Sequence, residues 1–486
     1  MVNYTYVNPV IRGFHPDPSI CKVDNDYYLV TSSFEFLPGI PLFHSRNLVN
    51  WEQIGHVLTR ESQIDVHQAK NSGGVFAPTI RYHDGMFYVI VTSVESGTFY
   101  VTSSNLEEGF SNPIWVDIKG IDPSFYFEDG HTYIQYAGLE NGENAIFQCE
   151  ICIETGALRN PPIVISKGCG GRDTEGPHIY KINGYYYLMC AEGGTREGHM
   201  ITMQRSISLY GPYEKCPITP VVSNRDKSKE LLQSVGHGDL IEDHVGNWWI
   251  VSLATRPIKH RHNLGRETIL MPVTWQNGWP IVVDGFAKTS YQSPLNIEKQ
   301  LKNSFTDTFE EDHLGYQYNT IREFLNDEMV LDNGKLRLYG NGKSLSSNGA
   351  PMFLGVRQCE YCCNFETQLI NHGGNSGLAL YIDQRHHMEI GLNQDLKLYM
   401  KKVVDDIEEI HTFAYGERDI VIGIEAKKDK FHFYYLNKDR RKEYIGEGLV
   451  KHLSIEISNS PFTGVYGGMF IENEGIAEFH YFKYKE

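Results

Sequence analysis

Three acidic residues far apart in the chain sit in closely similar local contexts. They are Asp17 in HPDPSI, Asp122 in IDPSFY and Glu175 in TEGPHI, with His237 in GHGDLI as a fourth member. Alone, an acid in an Asp-Pro-Ser stretch caps a turn, because its side chain accepts a nearby backbone amide. Three acids brought to one address would instead raise one another's pKa, which no fold needs for stability. Over a neutral polyol, such a group suits hydrolysis of a glycosidic bond. One carboxyl protonates the leaving oxygen while another activates water or attacks. A third can hold the acid's pKa high, so that it stays protonated near neutral pH.

A repeat supplies the elements that would bring these residues together. A turn with Asn, Asp or Gly, then an aromatic, then a β-rich run recurs five times: DNDYYLVTS, DGMFYVIVTS, DGHTYIQYA, NGYYYLMCA and VGNWWIVSL. The second aromatics are Tyr28, Tyr88, Tyr133, Tyr187 and Trp249, at intervals of 60, 45, 54 and 62 residues. Each copy reads as a turn within a β-hairpin. Intervals of this size accommodate four short strands, the blade of a β-propeller. Helical periodicity is scarce, so the expectation is an all-β chain with five blades. Counting back 11 residues from the aromatics reaches Asp17, Ala77, Asp122, Gly176 and Gly238. This is one strand before each turn, where a propeller's innermost strands begin, so Asp17, Asp122, Glu175 and His237 converge on one channel mouth.

The remaining composition narrows the function. The 486 residues carry a formal charge of −17, which disfavours phosphate backbones and anionic lipid surfaces. No nucleic-acid or membrane partner is therefore expected, and no apolar run reaches membrane-spanning length. The nine cysteines are odd in number and scattered, which argues against a disulfide framework. The pair Cys359 and Cys362 lacks a second pair at zinc-binding distance. The N-terminal stretch MVNYTYVNPVIRG has neither the charged nor the apolar region of a signal peptide, so a cytoplasmic protein is expected. A homo-oligomer is compatible with the sequence.

The motifs NPVIRGFHPDPSI, TSSFEFLPGIPLFHSRNLVNW, FAPTIRYHDGMFYV, IDPSFYFEDG, DTEGPH, GHGDLI and NLGRET together resemble glycoside hydrolase family 43, in its branch of two-domain β-xylosidases and α-L-arabinofuranosidases. The resemblance covers the first 290 or so residues and extends to the C-terminal part. It implies a five-bladed propeller and an inverting mechanism that releases terminal pentoses from arabinoxylan-derived oligosaccharides. It also implies Asp17 as general base, Glu175 as general acid and Asp122 as the group that modulates its pKa. Arg266 in GRET would enter the pocket and bond a sugar hydroxyl or Asp122. His237 would lie near the channel axis, where relatives sometimes hold a hydrated calcium ion. Phe34 and Phe36 would wall the sugar subsites. Where relatives commonly have Trp before Ala-Pro, this chain has Phe76, which leaves the preferred pentose open.

Beyond the polar stretch PLNIEKQLKN (294–303), alternating segments such as KLRLYG, FETQLI, GLALYI and FHFYYL read as strands of a β-sandwich of jelly-roll type. The division expected is a propeller over 1–295 and a sandwich over 304–486. Neither His386-His387 nor Cys362-Cys363 has metal-spaced partners there. The resemblance implies that this domain lends a loop to the pocket rim, and PFTGVYGG with Phe462 is the candidate. Two other readings stay open: an endo-arabinanase of the same fold, which would need an open groove, and a non-catalytic glycan-binding propeller.

Overall fold

The computed structural model describes residues 4–297, 303–458 and 460–486. The chain is all-β, broken only by three short helical turns among the described residues. The expected linker 294–303 falls partly on residues 298–302, which lie outside the described ones.

The first part contains five four-stranded antiparallel meander sheets; in four the strands are consecutive, and in the first the short strand Phe36–Leu37 intervenes and pairs elsewhere. Their first strands are Ser19–Val23, Thr79–His83, Ile121–Glu128, Glu175–Ile182 and Gln233–Glu242. Each recurrent aromatic lies on the second strand of its sheet. The turns between first and second strands follow from the sequence. At Asp84-Gly85, Asp129-Gly130 and Asn183-Gly184 both central residues have positive φ, the conformation that twists a two-residue hairpin correctly. The first strands of successive sheets pack on one another in cyclic order, and that of the fifth sheet returns against that of the first.

The shared address has a physical basis. Asp17, Asp122, Gly176 and His237 all adopt left-handed φ, between 42° and 56°. The pairing register shifts beside three of them, between Ile121 and Ser124, Glu175 and His178, and Gly236 and Gly238. Pro follows Asp122 and Gly176 and cannot donate to the ladder, so those strands bulge there and re-aim their side chains; Pro18 likewise follows Asp17, just ahead of the strand Ser19–Val23. Counting back from Trp249 reached Gly238, one residue beyond the left-handed residue His237. The second sheet carries Ala77 at this address and contributes no acid.

Below this bulge layer the first strands are tied by a buried polar cluster. Asp239 accepts from Ser19 Oγ at 2.7 Å and from Arg81 Nη1 at 2.7 Å, and also from the Tyr180 hydroxyl. Arg81 Nη2 lies 2.9 Å from His178 Nδ1. Burial pushes the His178 pKa down to about 3, so the ring is neutral and can accept that proton. Four of the five sheets contribute to this cluster.

The second part stacks two large sheets. One is six-stranded and runs from Phe353–Arg357 to Ile407–Phe413; the other contains Cys363–Asn371, Asp419–Lys427 and Ile476–Lys485. Phe365, Leu378, Met388, Ile422, Phe433 and Phe479 form part of the apolar core between them. The two parts are joined directly. Thr320–Ile321 pairs antiparallel with Phe36–Leu37, and Arg322 N donates to Glu35 O at 2.8 Å. An aromatic cluster of Phe14, Phe34, Phe36, Phe353, Tyr381, Tyr466 and Phe470 fills the junction.

Removing one partner of a buried ion pair leaves an uncompensated charge, so Asp239→Ala should lower the unfolding free energy by about 3–5 kcal/mol. Burial opposes ionisation of Asp239, but the Arg81 charge and the hydrogen bonds from Arg81 and Tyr180 outweigh it and hold its pKa below the ordinary carboxylate value. Its contribution is therefore present above the unfolded pKa and is lost as pH falls through the depressed one. Denaturant unfolding at pH 7 measures the loss; an unchanged midpoint would mean that Asp239 does not tie the sheets.

Candidate active site

Asp17, Asp122 and Glu175 line one cavity of about 270 Å³ together with His237, Arg266, Phe34, Phe76 and Phe462. The structure thus brings together eight of the nine residues singled out from sequence. Phe36 is not among the lining residues. It is fully buried and stacks on Tyr466 with ring centroids 4.1 Å apart, in the packing behind the wall. The tight turn at Ser33–Phe36 sends Phe34 toward the cavity and Phe36 toward the six-stranded sandwich sheet.

Arg266 does not bond Asp122. Its Nη1 donates to Asp17 Oδ1 at 2.9 Å and its Nη2 to Asp17 Oδ2 at 3.2 Å, a forked pair in a buried setting. Ser32 Oγ adds a third donor to Asp17 Oδ2 at 2.6 Å, and His237 Nδ1 lies 3.8 Å from Oδ1. Burial alone would raise the Asp17 pKa. Arg266, His237 and Ser32 outweigh it and hold the carboxyl below its ordinary value.

The other two acids shift the opposite way. Burial raises the Asp122 pKa, and the Asp17 charge adds to it against the opposing pull of His237 and the Gly176 amide. Gly176 N donates to Asp122 Oδ2 at 3.1 Å. Glu175 lies well above the ordinary carboxylate range, first through burial and then through the charges of Asp122 and Asp17. One cavity therefore holds one carboxyl whose charged form is favoured and two whose charged form is disfavoured. Environments that separate two such groups mark a base and an acid.

Several contributors carried no signal singled out from sequence. Thr195 Oγ1 accepts from Arg266 Nη1 at 3.3 Å, and the preceding Gly193 and Gly194 have positive φ. That Gly-Gly-Thr stretch is a readable turn, but nothing in it announced a pocket. Arg172 and Asp173 form an ion pair at the cavity edge. Behind them the buried Glu192 accepts from the amides of Cys169 at 2.7 Å and Gly171 at 2.6 Å, which fixes the segment leading into Glu175.

Phe34, Phe76 and Phe462 form an aromatic wall. Phe34 and Phe462 stack at 5.7 Å, and Phe76 meets Phe34 edge-on at 5.3 Å. The Arg266 guanidinium lies 5.2 Å from the Phe462 ring centroid.

Calcium takes six to eight oxygen ligands. Among the described residues no three His, Cys, Asp or Glu side chains gather at ion-binding distance. Asp17, the carboxylate nearest His237, is already neutralised by Arg266. The residues at His237 therefore do not form a direct calcium cage.

A family model described as glycosyl hydrolases family 43 matches residues 6–280, and one described as a β-xylosidase C-terminal concanavalin A-like domain matches residues 306–485. The chain is 36% identical to a non-reducing end α-L-arabinofuranosidase of Bacteroides ovatus, over 97% of this chain and 92% of that one. It is 34% identical to a xylosidase/arabinosidase of Butyrivibrio fibrisolvens, over 98% of both. Among solved structures, a xylan β-1,4-xylosidase from Bacillus halodurans superposes with a TM-score of 0.94 at 32% identity, over 99% of this chain and all of that one.

Asp122→Asn removes a negative charge beside Glu175 and should lower the Glu175 pKa. The alkaline limb of kcat/KM, which follows loss of the Glu175 proton, should then move to lower pH. A limb that stays in place with full activity would reduce Asp122 to a turn cap.

Proposed function

This chain belongs to family 43 of the glycosyl hydrolases, and from that premise we propose that it is an exo-acting, inverting enzyme. It releases terminal α-L-arabinofuranosyl and β-D-xylosyl units from arabinoxylan-derived oligosaccharides. The observation that carries this reading is the opposed shift of Asp17 and Glu175 across one small cavity. A glycan-binding site has no use for a carboxylic acid held protonated beside a carboxylate held ionised. Phe462 at the rim favours a closed pocket over the groove of an endo-acting enzyme.

In this mechanism Asp17 takes a proton from a water that attacks the anomeric carbon, while Glu175 gives its proton to the leaving oxygen on the opposite side. Asp122 keeps Glu175 protonated until that moment. Arg266 holds Asp17 ionised and oriented. Its Nε is buried without a protein partner among the described residues, which suits a bound sugar hydroxyl. The wall of three Phe rings is smaller than one containing Trp and leaves room for both furanosyl and pyranosyl pentoses.

The five sheets are read as the five blades of a closed propeller, supported by the cyclic packing of their first strands. The catalytic domain then spans 1–295 and the sandwich 304–486. The nine cysteines are free thiols, which suits a reducing, cytoplasmic setting. A hydrated calcium ion beside His237 is proposed as an accessory, held through its own waters and with no step assigned to it.

Both nitrophenyl α-L-arabinofuranoside and nitrophenyl β-D-xyloside should be hydrolysed. Proton NMR read before mutarotation should show the inverted anomer first. A retained first anomer, or transfer of sugar to methanol, would point to a covalent intermediate and remove Asp17 from its role as base. Chelation verified by elemental analysis should lower activity or Tm, with recovery on adding calcium; insensitivity would leave His237 as a purely structural or substrate-contact residue.

A further inference from the structure

Glu35 lies between Phe34 and Phe36 and takes no part in the chemistry above, yet it is a wholly buried carboxyl. Both its oxygens accept the Ser72 amide, each at 3.1 Å. The Ser72 hydroxyl in turn accepts the Phe462 amide at 3.1 Å. Phe462 forms one wall of the sugar cavity, and its carbonyl accepts from Arg266 Nη2 at 3.5 Å. Two links therefore run from a carboxyl at the domain junction to the wall of the site, and a third continues to Arg266.

The segment around Ser72 has few alternatives. Val75 exchanges backbone bonds with Phe34, and Gly74 N donates to Glu95 at 2.8 Å. Gly74 has φ +77°, and a Cβ there would lie 2.6 Å from Phe34 O. Arg322 donates to Ala69 O at 2.6 Å and to Asn71 Oδ1 at 2.7 Å. Ser72 itself is held at φ +55°. Non-glycine residues keep such a conformation only where the surroundings over-determine it.

We propose that Glu35 is a positioning residue for the sugar pocket: by gripping the Ser72 amide it fixes the hydroxyl that anchors Phe462, and so sets how firmly the aromatic wall closes on the pentose. This rests on the reading of the cavity as a pentose site. The grip depends on charge. Burial raises the Glu35 pKa to about 7, against the lowering effects of Arg322, its own amide and the Ser72 amide. Asp383 adds a raising effect from the sandwich, where Tyr381 and Tyr466 also face the carboxyl. An ionised carboxylate accepts an amide more strongly than a protonated one. The wall is therefore held more firmly above pH 7 than below it.

The test uses the full chain and compares wild type, Glu35→Gln, Ser72→Ala and the double variant. Glutamine keeps size and an acceptor oxygen but cannot ionise. Amide hydrogen exchange, corrected for intrinsic rates, should be several-fold faster in peptide 460–466 for each variant. In wild type it should be faster at pH 6 than at pH 8, and that difference should vanish in Glu35→Gln. With nitrophenyl pentosides, KM should rise about three- to tenfold in each single variant, as expected for loss of one hydrogen bond. The double variant should add little, because the residues act in series. A lower Tm with unchanged exchange at 460–466 and unchanged KM would overturn the proposal. Absence of turnover in wild type would count against the pentosidase reading alone, since the exchange measurement does not need a substrate.

Discussion

Asp17, Asp122 and Glu175 share one cavity, and much of the site follows from which of them receives the Arg266 guanidinium. Arg266 forks onto Asp17, so that carboxylate is stabilised in its charged form. Asp122 and Glu175 are left with the cost of burial and with the charge of Asp17 as a neighbour. Had Arg266 bonded Asp122, one of the two partners that the family resemblance offered, Asp17 would carry the burial cost and the two kinds of carboxyl would be harder to separate. A difference of one pKa unit corresponds to about 1.4 kcal/mol between protonation states, so a modest redistribution of charge suffices to assign roles.

That arrangement depends on a frame able to hold unfavourable groups still. The left-handed residues at Asp17, Asp122 and His237 are locally strained; Asp122 and His237 sit where a bulge re-aims the first strand, and Asp17 lies just ahead of its own. The cluster around Asp239 lies a short way along the same strands and binds four sheets through one carboxylate. The two layers use opposite logic. Asp239 is fully compensated and fixes the geometry, whereas Glu175 is left under-compensated, which favours its protonated form.

Much of this was legible in the sequence because it is local and repeated. The Asp-Gly and Asn-Gly turns dictate hairpins, the aromatics mark second strands, and the Asp-Pro motifs mark the bulges. What was not legible depends on partners far apart in the chain. The choice of Arg266 between Asp17 and Asp122, 249 residues and 144 residues away in sequence, depends on which sheet each adjoins. Phe34 and Phe36 look equivalent in SSFEF, but a tight turn sends one to the cavity and the other to the domain junction. His237 falls one residue from its counted address because the fifth hairpin has a longer turn: Trp249 pairs with Ile241, eight residues back, whereas Tyr133 and Tyr187 pair with Tyr126 and Tyr180, seven residues back.

Glu35 shows how the same physics extends beyond the catalytic acids. Its pKa is raised on folding, so the folded chain binds more protons there than the unfolded chain between about pH 4.5 and 7. By linkage, this residue's contribution to stability falls as pH rises across that window. A carboxyl kept at such a cost gains stability from neither charge nor packing, since an apolar or amide side chain would fill the space without that loss. Its two oxygens are instead committed to one amide, and that amide belongs to the residue anchoring the sandwich domain's contribution to the pocket. The second domain then acts on the site through Phe462, whose position is fixed from the propeller side.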